Sequence, residues 1–121
     1  MSTVLTATDY KELTTAISGQ MRELKQSVPE VLQNFNAMGK AALAPGAIDA
    51  KTKELIALAI GVAARCDGCL GFHAQALARL GATREEVHEM LGVAVYMGGG
   101  PSLMYAANTV AAFDEALAKA K

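Results

Sequence analysis

The chain has 121 residues with 11 basic and 12 acidic side chains, a formal charge of −1, so it carries no basic surplus for a nucleic-acid partner. Apolar residues reach 52% while aromatics stay at 5% with no Trp, so Ala, Leu, Val and Met must fill a core in which helices approach closely. This length predicts one domain over residues 1–121, able to bury roughly two-thirds of its unfolded-chain surface.

The pattern along the chain is helical throughout, and we expect an all-α bundle of about six helices. Thr8 or Asp9 caps a first helix to about Gln26, with Leu13, Ile17, Met21 and Leu24 at three- and four-residue steps. Ser27-Val28-Pro29-Glu30 reads as a capping box with an early proline, which starts a second helix. That helix has an apolar face of Val31, Leu32, Phe35 and Met38, and Ala44-Pro45-Gly46 ends it. Asp49 caps a third, from about Ala50 to Arg65, which is apolar nearly all round and so belongs in the middle of a bundle or an oligomer. A fourth runs from about Cys69 to Leu80 after a turn at Cys66-Asp67-Gly68-Cys69. Thr83-Arg84-Glu85-Glu86 is a second capping box and starts a fifth helix. Gly98-Gly99-Gly100-Pro101 stops it, and a last helix runs from about Ser102 to Ala118.

The longest apolar stretch, Leu55 to Ala64, is too short to cross a bilayer, and Met1 to Tyr10 lacks a charged segment followed by an apolar run. A soluble, cytoplasmic protein with no membrane partner is the expectation. In a reducing compartment, a cysteine pair spaced as Cys66 and Cys69 points to catalysis or metal binding rather than a structural staple.

Cys66, Cys69 and His73 stand at positions i, i+3 and i+7, which on a helix share one face. A free thiol has a pKa of about 8.5, and a neighbouring imidazole and a helix N-terminus both favour the thiolate. Cys69 has both features in this reading. Once it is oxidised to a sulfenic acid, Cys66 is the thiol that can close a disulfide. Three alternatives stay open on residue type. The cysteines could be core residues, they could bind zinc with His73 and a carboxylate, or they could be a vestigial site. Glu54, by type alone, reads as an exposed first-turn carboxylate. Gly98-Gly99-Gly100 is no phosphate loop, since no strand precedes it, and it suits a close backbone approach instead. Tyr105 and Asn108 could line a pocket or simply pack, and His88 beside Glu85 and Glu89 reads as solvated.

Lys53-Glu54-Leu55-Ile56-Ala57-Leu58-Ala59-Ile60, followed by Cys66-Asp67-Gly68-Cys69-Leu70-Gly71-Phe72-His73, resembles the AhpD-like branch of the carboxymuconolactone decarboxylase family. Met97-Gly98-Gly99-Gly100-Pro101 and Tyr105-Ala106-Ala107 add to the likeness, which covers about residues 28–118. The family pattern is a glutamate, eleven residues, C-x-x-C, three residues and a histidine, and Glu54, Cys66, Cys69 and His73 match it without gaps. The resemblance implies an antioxidant alkylhydroperoxidase, peroxiredoxin-like in activity, with no cofactor and no metal. Cys69 would attack the hydroperoxide, Cys66 would resolve it, and His73 with Glu54 would relay protons. It also implies a thiol or dithiol reductant and assembly as a homotrimer or homohexamer. AhpD itself is longer and has a histidine inside its C-x-x-C, where this chain has Asp67 and Gly68. The decarboxylase branch lacks the dithiol, so decarboxylation is not implied. The rival readings are a general thiol–disulfide oxidoreductase and a non-catalytic oligomeric binding protein.

Overall fold

A computed structural model describes residues 7–120. Its six helices are α1 (Tyr10–Ser27), α2 (Pro29–Leu43), α3 (Ala50–Ala63), α4 (Asp67–Arg79), α5 (Arg84–Gly98) and α6 (Gly100–Ala120), and no strand occurs among the described residues. The all-α layout agrees with the sequence reading. The expectation for the first ten residues falls partly on residues 1–6, outside the described range.

Most helix starts are fixed by side chains that take up free N–H groups. The Asp9 carboxylate accepts from the Glu12 N–H at 2.9 Å, and Asp49 accepts from the Thr52 N–H at 2.7 Å. Thr83 and Glu86 exchange hydrogen bonds as a reciprocal capping box. The box expected from Ser27 to Glu30 does not form. Ser27 is the last residue of α1, and Val28 alone separates the helices, with its N–H bonded back to Leu24. The start of α2 therefore rests on Pro29, whose missing N–H needs no partner there. Two further boundaries differ from expectation. Helix α4 begins at Asp67 rather than Cys69, because Cys66 serves as its N-cap and draws Asp67 and Gly68 into the first turn. Helix α6 begins at Gly100, since Gly99 at φ 74° makes the turn by itself. Ser102 then packs so tightly on Gly98 that a Cβ there would collide with it.

Helix α4 is the centre of the bundle and packs against α6, α3 and α1. Two of its four buried positions, Gly71 and Ala74 beside Leu70 and Leu77, are small, so neighbours come close. A Cβ on Gly71 would stand 2.5 Å from Thr14 Cγ2, and the Thr14 hydroxyl accepts from Gln75 Nε2 at 3.0 Å. The core adds Leu58 and Val62 of α3, Val87 and Leu91 of α5, and Phe113 of α6, all spaced at helical steps. Within the single chain, helix α3 is not buried all round. It buries one stripe through Glu54, Leu58 and Val62 and leaves Ile56 and Ile60 exposed on the other side.

Distant residues tie the chain ends and α2 into place. Glu115 of α6 accepts the N–H groups of Tyr10 and Lys11 at 3.0 and 2.8 Å, capping α1 across the fold. Burial first, and then the negative charges of Asp67 and Glu115, hold the Tyr10 phenol above its ordinary pKa, so it stays neutral there. Lys53 of α3 donates to the carbonyls of Ala42 and Ala44 at 3.0 and 2.6 Å, closing the C-terminal end of α2. Beyond that, among the described residues α2 touches only α1 and α3, and none of its residues is buried. No helix among the described residues is long and apolar enough to cross a membrane.

Candidate functional site

The site is made by how α3 ends. After Ala63 the chain turns on Arg65, whose φ of 59° lies in the left-handed region. The Arg65 N–H bonds to the Val62 carbonyl at 3.1 Å and the Cys66 N–H to the Gly61 carbonyl at 3.0 Å. This pair of bonds is the Schellman closure that reverses a chain in one step. Cys66 therefore closes α3 and, as the very next act of the chain, caps α4. Its sulfur accepts from the Cys69 N–H at 3.2 Å.

That reversal solves a problem of reach. Glu54 lies twelve residues before Cys66, about 18 Å along a straight helix. Because α4 folds back along α3, the carboxylate meets the imidazole of His73 instead, with Oε2 at 2.6 Å from Nδ1. Glu54 is 8% exposed, so the reading by residue type as a surface carboxylate is overturned. A buried carboxylate needs such a partner, since an unpaired one would lose its hydration without compensation. An ionised carboxylate can only accept, so against one Nδ1 would carry the hydrogen and a neutral ring would keep its lone pair on Nε2.

Cys66 and Cys69 are joined by a disulfide with their Cα atoms 5.2 Å apart, and both are half-buried. Cys69 and His73 are one turn apart on α4, while Cys66 sits just before the helix in extended backbone. The expected single helical face thus holds for Cys69 and His73 only. Among the described residues no hydrogen bond joins the imidazole to either sulfur in this disulfide form. The helix N-terminus serves Cys66 as well as Cys69, because Cys66 is the N-cap whose sulfur receives an N–H.

Three residues that sequence reasoning did not single out shape the site. Gly61 lies against Cys69, and a Cβ on it would stand 2.8 Å from the Cys69 Cβ, so α4 could not sit where it does. Ile17 of α1 rests on Gly68 between the two cysteines, with its Cδ1 at 3.0 Å from where a Cβ would be. Arg65 makes the turn. Nothing in the local sequence marks them, since each matters through a neighbour or through its φ angle. Of the weaker candidates, Tyr105 packs half-buried against the core, and Asn108 and His88 are exposed.

Fold and site together define a class: an all-helical domain with a disulfide-forming cysteine pair at a helix junction, backed by a buried carboxylate paired with a half-buried imidazole. Residues 29–112 match the carboxymuconolactone decarboxylase family, and the chain belongs to that family. A carboxymuconolactone decarboxylase family protein from Legionella pneumophila is 51% identical and superposes with a TM-score of 0.87, over 89% of this chain and 96% of that one. A family member from Thermotoga maritima, for which involvement in an antioxidative response has been suggested, is 32% identical with a TM-score of 0.66 over 69% of this chain and 87% of its own. An uncharacterised protein of Cupriavidus necator is 42% identical over 88% of this chain and 95% of its own length.

Proposed function

We propose that the chain is an AhpD-like thiol peroxidase that reduces hydroperoxides by cycling Cys66 and Cys69 between dithiol and disulfide. The observation that carries this reading is the Glu54–His73 pair, its carboxylate buried and its imidazole half-buried, standing on α3 and α4 next to the Cys66–Cys69 disulfide. The suggested antioxidative role of the Thermotoga maritima relative supports it. In the first step His73 Nε2 takes the Cys69 proton, and the thiolate attacks the outer peroxide oxygen. The O–O bond breaks, the sulfur becomes a sulfenic acid, and the alkoxide takes the proton back from His73. In the second step the Cys66 sulfur attacks the sulfenic sulfur, water leaves, and the disulfide closes. Two thiols and one hydroperoxide give one disulfide, one alcohol and one water. A thiol or dithiol reductant then restores the pair. Glu54 holds the imidazole in the tautomer that leaves Nε2 free and balances the charge it gains. A cytoplasmic setting fits, because a reducing compartment regenerates the dithiol.

A second reading is favoured by one feature, the Cys66 sulfur at the N-cap of α4. A thiolate at a helix N-terminus is the attacking group of dithiol oxidoreductases, which exchange with disulfides rather than peroxides. The surface supports an oligomer in either case. Val31 and Phe35 of α2 are 64% exposed, Tyr96 and Met97 of α5 are 85% and 76% exposed, and Met104 of α6 is 59% exposed. A homotrimer or homohexamer would cover these faces.

Stopped-flow mixing of the reduced protein with cumene hydroperoxide and with hydrogen peroxide, while free thiols are counted, tests the first reading. We expect two thiols lost per peroxide consumed, a sulfenic acid trapped on Cys69 in Cys66→Ser, and no peroxide consumption in Cys69→Ser. His73→Ala should slow attack by about 10²–10⁴-fold near neutral pH, and Glu54→Gln by less, mainly through the pH profile. Thiols that survive peroxide but react with a disulfide would transfer the assignment to the second reading, and stoichiometric bound zinc would overturn both.

A further inference from the structure

We propose that Arg65 is a specificity residue that makes the Cys66–Cys69 dithiol prefer negatively charged disulfides over neutral or cationic ones. The proposal rests on the redox reading of the dithiol but not on peroxide as its oxidant.

Arg65 is the only residue other than glycine with a positive φ among the described residues; Gly81 and Gly99 are the others. The left-handed conformation crowds a Cβ against the following carbonyl, and at this position of a helix terminus glycine carries no such penalty. An arginine held there needs a reason. A cation beyond the end of α3 gains something from the helix dipole. That gain is available without strain inside the last turn, yet α3 has no basic residue there. The charge stands instead at the one strained residue, directly before the first sulfur.

The guanidinium is also uncommitted. Arg65 is exposed, and the ion pairs among the described residues engage Lys51, His73, Arg84 and Lys119 but not Arg65. The nearest opposing charge in sequence, Asp67, lies in the first turn of α4, where free N–H groups favour a carboxylate. Arg65 is bonded to Cys66, so rotamers of its side chain can bring the charge within about 10 Å of the sulfurs, about one Debye length at about 0.1 M salt.

The step it biases is ordinary exchange. One cysteine thiolate attacks the probe disulfide, a mixed disulfide forms and one probe thiolate leaves. The second cysteine thiolate attacks the protein sulfur of the mixed disulfide, and the other probe thiolate leaves. Two electrons pass from the dithiol to the probe, the Cys66–Cys69 bond forms, and the two thiol protons go to solvent. A cation beside the attacked bond stabilises an anionic probe and its departing anion together.

The test uses three probes at pH 7: 5,5′-dithiobis(2-nitrobenzoate), a dianion; bis(2-hydroxyethyl) disulfide, which is neutral; and cystamine, a dication. Each rate with the reduced protein is divided by the rate of the same probe with free dithiothreitol. Arg65→Asn and Arg65→Gly remove the charge and suit the left-handed backbone, and Arg65→Asp reverses it. We expect wild type to favour the dianion over the dication, and the preference to fall by roughly two-fold per unit of probe charge in Arg65→Asn and Arg65→Gly alike. It should fall further in Arg65→Asp, and in wild type it should fade as salt rises to about 0.5 M. Circular dichroism and the melting temperature check that the variants remain folded, and the salt titration needs no variant. An unchanged preference in the variants would overturn the proposal. So would an equal change for all three probes, which would mark an effect on thiolate reactivity alone. A wild-type protein inert to every probe would overturn the dithiol reading beneath it.

Discussion

Helices α2 and α4 have similar lengths and share a hairpin partner in α3, yet they meet opposite fates. Helix α2 carries the more obvious apolar stripe, Val31, Phe35 and Met38, and all three stay exposed. Helix α4 is full of small residues and buries Leu70, Ala74 and Leu77 completely. Apolar patterning says that a face will be covered; it does not say by what. The small side chains of α4 let α1, α3 and α6 close round it, which fixes Cys69 and His73 in a dense setting where a shift of one methyl group is felt. Val31, Phe35 and Met38 of α2 are left uncovered by the described residues. They form an exposed apolar surface on a helix held at its far end by Lys53.

The largest effect should come from breaking the dense side. Leu77 is fully buried, and Leu77→Ala should cost about 2–5 kcal/mol of stability, measured by urea unfolding. On the other side, Phe35→Glu should leave the stability of the isolated chain within about 0.5 kcal/mol, as surface substitutions do, while lowering the assembled mass in light scattering at micromolar concentration. If Phe35→Glu unfolds the chain as deeply as Leu77→Ala, α2 belongs to the core after all and the contrast fails. A finer probe is Lys53→Met, which removes the two donors on α2's last carbonyls. Hydrogen exchange should show the last turn of α2 opening more readily by about 0.5–1.5 kcal/mol, with α4 unchanged.

The smallest effect concerns a contact that belongs to neither helix. Arg84 of α5 makes a two-pronged pair with Asp114 of α6 at 2.8 and 3.0 Å, and the guanidinium holds the Asp114 carboxyl below its ordinary value of 3.8. A carboxyl depressed in the folded state adds stability above its unfolded pKa and loses it as pH falls through the folded one. The pair is about half exposed, so its share is small. Asp114→Asn should melt slightly lower than wild type at about pH 6, and the gap should close as pH falls through the carboxyl's lowered folded-state value.

Much of the fold was legible because its signals are local. Asp9, Asp49 and Thr83 cap the helices the sequence assigned to them, since a capping side chain needs only the N–H groups two or three residues on. The glycine run after α5 marked a break for the same reason. The box at Ser27 failed because a second local signal, the closing of α1, claimed the same residue. The spacing of Glu54, Cys66, Cys69 and His73 was legible as a pattern, but their meeting was not. It depends on a reversal at Arg65 and a close approach at Gly61.

By itself, then, the sequence determined an all-helical chain with helix ends set by short-range hydrogen bonds, and two thiols with a histidine one turn from the second. Tertiary structure alone decided that Glu54 is buried against His73, that Cys66 caps α4 with its sulfur, and that the Val31, Phe35 and Met38 stripe of α2 lies outside the core. Those outcomes hinge on which helices can approach one another, and approach is set by the absence of side chains at Gly61 and Gly71 and by one left-handed residue. A hydrogen bond to a residue three along the chain is written in the order of the residues. A contact across the bundle is written only in the volumes that remain when every other contact has been made.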